Sequence, residues 1–162
     1  MKKLMLLILS SCVLFAGNIS VKETVKIPKD AKCLIRKTEV YKHPEWASII
    51  VVKKDNQKIY FSSPKSMFEF YFETPRWPEY EIKEDKDIEI YVTDYNTLET
   101  IYAKEAYYVY GSKKTSPAGD DLPAFSTKKD ANAFSILNGG TRVFHFSDIP
   151  HGLINLLNNR LR

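Results

Sequence analysis

The first half of the chain alternates apolar and polar segments in an order that predicts a hairpin, a helix and a third strand. Residues 46–52 and 58–62 are apolar or β-branched runs separated by a polar turn, a pattern typical of a β-hairpin. A helix is predicted to begin at Ser63, because a serine hydroxyl caps free backbone amides. Pro64 then occupies the first helical position, where its missing N–H has no cost. Residues 88–92 form the next predicted strand.

The second half of the chain repeats this order of elements. Residues 106–110 and 122–125 predict two strands on either side of a turn-rich loop. Thr127 is expected to cap a second helix, which the Gly139-Gly140 pair ends. Residues 143–146 predict the last strand of this half.

Short segments also align between the two halves. The aligned pairs are residues 61–66 with 125–130, and residues 91–94 with 145–148. This repetition predicts an α+β fold of two similar ββαβ units, residues 46–95 and 96–149, each too small to bury its apolar faces alone. Chance similarity between amphipathic segments is the alternative explanation. Residues 150–162 predict an amphipathic C-terminal tail with four leucines on its apolar side, Leu153, Leu156, Leu157 and Leu161.

The N-terminus has the pattern of a secretory signal sequence at residues 1–16. Two lysines precede a mainly apolar stretch that is shorter than a membrane span. Two processing routes stay open, namely cleavage after Ala16 and the lipoprotein route, in which Cys12 becomes the lipidated first residue. The expected location is therefore the periplasm, either in soluble form or held by a lipid anchor. Residues 17–45 predict an extended lead-in that carries Cys33.

Composition and charge limit the kinds of partner. The chain is 44% hydrophobic and 27% charged, a balance typical of a globular domain rather than a disordered chain. Its net charge of +4 includes Lys2 and Lys3 of the signal, so the charge of the remainder is too small to indicate binding to nucleic acid or anionic lipid. Membrane attachment is expected only through the signal sequence or a lipid anchor.

The sequence has no pattern of an enzyme active site. It lacks a Gly-x-Ser-x-Gly elbow, a Cys-His pair at a recognisable spacing and a phosphate-binding glycine loop. Asp120 and Asp121 are adjacent acids that could serve acid–base chemistry, but such a pair in a loop is more typical of a solvated turn. We therefore expect a protein that is not an enzyme.

Cysteine and histidine positions restrict a metal site to soft ligands. Cys33 is the only cysteine outside the signal sequence, so neither an internal disulfide nor a pair of thiolates is available. Cu(I) accepts Cys, Met and His, and the candidate ligands are Cys33, Met67 and His43. Two alternatives stay open: Cys33 is a buried, inert thiol, and Met67 belongs to the apolar core.

Six segments of the chain resemble one protein family. They are residues 26–33, 42–46, 65–72, 91–98, 106–112 and 139–148. The family is NosL, the copper-handling accessory proteins of nitrous oxide reductase maturation. The segments Tyr91-Val92-Thr93-Asp94-Tyr95 and Ala106-Tyr107-Tyr108-Val109 are fairly specific for it. The resemblance implies a fold of two ββαβ modules, a role in copper delivery, and nitrous oxide reductase or another periplasmic protein as partner.

The chain departs from the family at the copper ligands. Where the family usually has Cys-Pro-Val-Cys-Gly-Met, residues 33–38 are Cys-Leu-Ile-Arg-Lys-Thr. Arg36 thus replaces the second cysteine, and Thr38 replaces the methionine. In the family's Gly-Pro-Met-Gly loop, Ala118 replaces the methionine. The resemblance therefore implies copper binding that is weakened or lost.

Two functional hypotheses follow from these observations. The first is an exported NosL-like accessory protein that handles Cu(I) weakly through Cys33 with Met67 or His43. The second is a periplasmic protein-interaction module that keeps the scaffold and binds no metal. Its expected contact surface is the aromatic loop at residues 75–80, because Trp, Tyr and Arg dominate binding hot spots. The alternative role of Trp77 in that loop is a lid over the core.

Overall fold

The computed structural model describes residues 26–159. The predicted signal sequence, with both Ala16 and Cys12, lies outside the described residues, and so does Leu161. Within residues 26–159, no helix combines the length and the apolar character needed to cross a membrane.

The first sheet has four antiparallel strands. They are β1 Ser48–Val52, β2 Gln57–Phe61, β3 Ile88–Thr93 and β4 Thr100–Tyr102. Their order in the sheet is β2-β1-β3-β4. All residues of the central strand β1 are buried, which accounts for its continuous apolar sequence. Val52 pairs with Gln57 across a short polar turn, so the predicted hairpin is confirmed.

The second half of the chain forms a three-stranded sheet and a small hairpin. The strands are β5 Tyr107–Tyr110, β6 Thr115–Ser116, β7 Gly119–Asp120, β8 Ala124–Phe125 and β9 Arg142–His145. The sheet has the order β8-β5-β9, and β6 pairs with β7 in the loop before β8. In each sheet the first strand is flanked by the strand that precedes the helix and by the strand that follows it. The predicted α+β class is confirmed.

Two of the three α-helices within residues 26–159 begin at a side-chain cap. The three helices are α1 Pro64–Phe72, α2 Lys128–Asn138 and α3 His151–Asn159. The Ser63 side chain accepts a hydrogen bond from the Ser66 N–H, and the Thr127 side chain accepts one from the Asp130 N–H. Gly139 ends α2 with a φ of 69°, a left-handed conformation that favours glycine. The caps predicted for α1 and α2 are thus confirmed.

Helix α1 lies in the core between the two sheets. The Phe68 ring centroid is 5.2 Å from that of Tyr108 on β5 and 5.0 Å from that of Phe146, which follows β9. On the same helix, the Phe70 ring lies 5.5 Å from Phe61 of β2. Because one helix contacts residues of both halves, the two sheets share one hydrophobic core.

The other two helices cover outer surfaces of this body. Helix α2 packs on the second sheet over a small separate cluster, Val109, Phe125, Ala131 and Phe134. Helix α3 packs on α1 and buries Ile154 and Leu157, whereas Leu156 is 47% exposed. The described part of the C-terminal tail therefore docks through one face of a helix.

Asp94 connects the two sheets just after β3. The residue is 1% exposed and forms a parallel bridge with Ala124 of β8. Its carboxylate accepts hydrogen bonds from the N–H groups of Asn96 (2.9 Å), Thr97 (3.1 Å) and Ser126 (2.7 Å). The Asp94 side chain therefore closes the turn at Asn96 and Thr97, and it also attaches the segment at Ser126 to that turn.

Strand β4 is an element that the sequence pattern did not predict. It follows the predicted boundary at residue 95, yet it pairs with β3 and so belongs to the first sheet. Its three residues are too few to produce a recognisable alternation of apolar and polar positions. The segment is extended because it pairs with the edge of β3.

The lead-in differs from the extended segment that the sequence predicts. Residues 31–40 fold back into a tight turn, closed by a hydrogen bond from the Val40 N–H to the Ala31 carbonyl (3.0 Å). Within the turn, Lys37 has a φ of 61°. A lysine seldom takes this left-handed conformation, and no glycine marks the turn in the sequence.

Candidate functional site

The turn at residues 31–40 places Cys33 inside the molecule. Its side chain is fully buried and belongs to the main core. The Sγ atom accepts a hydrogen bond of 3.3 Å from the backbone N–H of Arg36. The Cys33 N–H also donates to the Thr38 carbonyl at 2.8 Å, which keeps the turn closed. A thiol in this position can act as a soft metal ligand when it is deprotonated.

Arg36 connects this turn to two helices. Its Nη2 atom donates to Glu69 Oε2 of α1 at 2.8 Å and to Asn158 Oδ1 of α3 at 2.7 Å. Asn158 in turn donates to the same Glu69 oxygen at 2.9 Å. The Arg36 Nε atom is buried without a hydrogen-bond partner among the described residues. These bonds hold the guanidinium group against α1 and α3, in a residue that follows Cys33 by three positions.

The three predicted copper ligands occupy different surroundings. Met67 is fully buried on α1 and lies in the same core cluster as Cys33. The His43 side chain is 52% exposed, and its Nδ1 atom lies 3.7 Å from Glu45. Within residues 26–159, no group of three or more His, Cys, Asp or Glu side chains could hold a metal ion. The structure thus brings the two sulfur residues into one cluster and leaves His43 at the surface, and their role as ligands stays a prediction.

Lys65 is a fully buried charged residue that sequence reasoning missed. Its ammonium nitrogen donates to the Ala118 carbonyl oxygen at 2.5 Å, in the loop between β6 and β7. Burial lowers the pKa of Lys65, an effect that the neighbouring Asp121 carboxylate opposes. One signal was present in the sequence, because Lys65 precedes Phe68 by three positions and Phe72 by seven. Those spacings place it on the apolar side of α1.

The prediction of a solvated turn at Asp120-Asp121 is wrong for the second residue. Asp121 is 3% exposed and accepts hydrogen bonds from Ser116 Oγ (2.6 Å) and from the backbone N–H of Lys65 (2.8 Å). Burial raises the pKa of Asp121, against the bonds from Ser116 and the charge of Lys65. The loop is buried because the β6–β7 hairpin folds it against the start of α1.

The aromatic loop at residues 75–80 packs partly against the core. The Trp77 ring lies 4.9 Å from the Phe70 ring, and the Tyr80 ring lies 5.6 Å from it. The Arg76 guanidinium is placed 5.1 Å above the Trp77 ring. This arrangement is that of a lid over the core, with Arg76 on its exposed side.

Two cationic side chains, Arg36 and Lys65, lie on the same elements as the candidate ligands Cys33 and Met67. The backbone N–H of Arg36 bonds to the thiol, and the Arg36 guanidinium interacts electrostatically with the Lys65 ammonium group. The sulfur atoms of Cys33 and Met67 are chemically suited to Cu(I), whereas two fixed positive charges disfavour its entry. The sulfur ligands and the cationic side chains therefore act in opposite directions on Cu(I) binding.

Comparison with known families identifies the scaffold. The NosL family model matches residues 24–154. The chain belongs to the NosL family. No curated protein matches the chain significantly.

Among solved structures, one of the similar proteins is described as the copper chaperone NosL from Shewanella denitrificans. The two chains are 26% identical, with a TM-score of 0.67. The match covers 81% of this chain and 98% of that chain, so nearly all of the NosL structure has a counterpart here. Family and structure together give the chain a NosL-like role, which agrees with the expectation of a protein that is not an enzyme.

Proposed function

We propose that this chain is an exported NosL-like accessory protein that takes part in copper delivery to nitrous oxide reductase and binds Cu(I) weakly. The observation that carries the proposal is its likeness to a copper chaperone over 98% of that protein's chain. The buried thiol of Cys33 supports it as well. Copper is the cargo in this role, and weak binding suits a protein that passes the ion on.

Cys33 supplies the thiolate in this proposal, and Met67 supplies the thioether. Both side chains belong to the main core, so an ion that they bind would be shielded from water. His43 is the third candidate and would contribute from the surface. The Arg36 guanidinium, three residues along the chain from Cys33, lowers the affinity in this proposal, because it repels a second positive charge.

Copper transfer to the reductase tests the proposed role. Tag-free mature chain is loaded with Cu(I) and mixed with copper-free nitrous oxide reductase, whose copper content is measured after separation. We expect more copper in the reductase than a small chelator delivers at the same free Cu(I) concentration. The Cys33→Ala variant should lose this advantage, and Thr38→Ala, a change in the same turn, should keep it. Transfer no greater than that from the chelator contradicts the role.

Export and processing are part of the same proposal. They are supported by the basic and apolar pattern of residues 1–16. The intact mass of the protein from the periplasmic and membrane fractions distinguishes a chain that begins after Ala16 from one that begins at a lipidated Cys12. A protein that keeps residues 1–16 and stays in the cytosol contradicts export.

A second candidate function is an interaction module that binds no metal. The positive charges of Arg36, three residues from Cys33, and of Lys65, two residues from Met67, favour it. Its contact surface would be the aromatic loop, where Arg76 lies over Trp77 on the exposed side. This hypothesis predicts capture of nitrous oxide reductase by the copper-free chain, weakened by Arg76→Ala. Binding that requires copper supports the first function instead.

A further inference from the structure

A buried position for a positive charge lies between the start of α1 and the β6–β7 hairpin. Lys65 is 0% exposed, and its ammonium nitrogen donates to the Ala118 carbonyl at 2.5 Å. The Asp121 carboxylate, 3% exposed, attracts the same ammonium group. Burial of a lysine is costly unless the ammonium group finds an acceptor and an opposite charge, which the Ala118 carbonyl and the Asp121 carboxylate supply.

The acceptor atoms are held by bonds that do not involve the ammonium group. The Ser116 hydroxyl donates to Asp121 Oδ2 at 2.6 Å and accepts from the Ala118 N–H at 2.9 Å. The backbone N–H groups of Lys65 and Leu122 each donate to Asp121 Oδ1 at 2.8 Å. The acceptor groups are therefore positioned by the backbone of two distant segments, through bonds that do not depend on the lysine side chain.

We propose that these atoms form an internal ammonium site, which the chain fills with its own Lys65 side chain so that no external cation binds there. The Ala118 carbonyl accepts one of the three N–H donors of the ammonium group, and the Asp121 carboxylate supplies an opposite charge nearby. Lys65 is then the residue that determines which cation the site holds. The inference goes beyond the proposed function, because the site is built from oxygen atoms and does not include Cys33.

The test replaces the tethered ammonium group with a free one. The Lys65→Ala variant keeps Cβ, and propylammonium corresponds to the atoms removed. We expect propylammonium chloride to raise the melting temperature of Lys65→Ala by about 5 °C at ten times its dissociation constant. The wild-type protein should not respond, because its site is filled. 1-Propanol has the same shape without the charge and should give no comparable rise.

Two further variants assign the response to this site. Lys65→Ala combined with Asp121→Asn removes the carboxylate and should lose the response to propylammonium. Lys65→Met fills the space without a charge and should not respond. Lys65→Ala combined with Cys33→Ala should keep the response, so the outcome is independent of whether the chain binds copper.

Each result either supports or overturns the proposal. If Lys65→Ala is unfolded without ligand, recovery of its circular dichroism spectrum by propylammonium, and not by 1-propanol, replaces the melting temperature as the readout. A folded variant that responds equally to both compounds, or to neither, overturns the proposal. An unfolded variant that propylammonium does not restore overturns it as well.

Discussion

At the residue scale, Arg36 determines the electrostatic surroundings of the only candidate thiolate. Its guanidinium group is bonded to Glu69 and Asn158, which hold it beside the turn that contains Cys33. The Glu69 carboxylate at 2.8 Å offsets part of this charge, and the remainder opposes a second cation by on the order of 1 kcal/mol. We therefore expect the Arg36 charge to weaken copper binding further, in addition to the loss of the ligands that Arg36, Thr38 and Ala118 replace.

Neutralising this residue is predicted to strengthen copper binding. Arg36→Gln keeps a hydrogen-bond donor for Glu69 and removes the charge, so we expect Cu(I) affinity to rise about fivefold to tenfold. Competition with a Cu(I)-specific chelator measures the change. Arg76→Gln is the matched control, because Arg76 pairs with Glu73 and its side chain is exposed. If the Cu(I) affinity of Arg36→Gln is unchanged or lower, the Arg36 charge is not what weakens copper binding.

At the element scale, the connection between β3 and β8 depends on the ionised form of Asp94. Burial acts to raise the pKa of this carboxyl group. The hydrogen bonds from Ser126, Thr97 and Asn96 outweigh that effect and hold the pKa below its ordinary value of 3.8. The ionised carboxylate therefore stabilises the native state at neutral pH.

The sign of this shift predicts how stability depends on pH. The stabilisation is fully present above the unfolded pKa near 3.8 and is lost as the pH falls through the lower native pKa. Asp94→Asn should lower the free energy of unfolding by about 1–3 kcal/mol at pH 7. Urea unfolding at pH 7 and pH 3 should show a smaller difference between variant and wild type at the acidic pH. An equal difference at both values contradicts the assignment.

Two glycines in different elements should respond in opposite directions to alanine. A Cβ at Gly140, after α2, would lie 2.6 Å from Val109 Cγ1 and 3.0 Å from Ser135 Cα, whereas nothing lies within 4 Å of one at Gly152 in α3. We expect Gly140→Ala to lose about 1–3 kcal/mol through overpacking. Gly152→Ala should gain about 0.5 kcal/mol from helix propensity. Thermal unfolding of both variants checks this, and a stable Gly140→Ala protein would be inconsistent with the close contact.

At the scale of the whole molecule, the two sheets form one body around α1. Phe68 contacts aromatic rings of the second half from a helix that also packs on the first sheet. If α1 separates from either sheet, the core that the two sheets share becomes exposed to water. The chain from β1 to β9 should therefore unfold in a single cooperative step.

Truncation of the shared aromatic residue tests this cooperativity. Phe68→Ala should cost about 3–5 kcal/mol, and hydrogen exchange should accelerate in β1 and β5 alike. Leu137→Ala is the control, since its side chain is 83% exposed and its loss should stay within about 0.5 kcal/mol. Faster exchange confined to one sheet in Phe68→Ala would contradict the shared core.

The elements with local signals could be predicted from the sequence. Ser63 with Pro64, and Thr127 with Gly139, mark the helix limits because capping acts within a few residues. The apolar run of β1 marks a strand that is buried on both faces. The family resemblance also located the replaced ligand positions, which periodicity alone does not indicate.

The features that were missed depend on distant contacts. The burial of Lys65 requires a carbonyl 53 positions away in the chain, and the burial of Asp121 requires the start of α1. The turn around Cys33 depends on a left-handed Lys37 and on the bonds of Arg36 to two helices. No local sequence pattern indicates contacts between such distant residues. The partners of Arg36 and Lys65 are therefore known only from the tertiary structure.

The most direct test of the central claim is the Cu(I) affinity of the tag-free mature chain, measured by chelator competition for the wild type and for Cys33→Ala. The proposed function predicts one weakly held Cu(I) per chain, and an affinity at least about tenfold lower in the variant, since a thiolate ligand is lost. An affinity that Cys33→Ala leaves unchanged, or the absence of stoichiometric copper in the wild type, would contradict it.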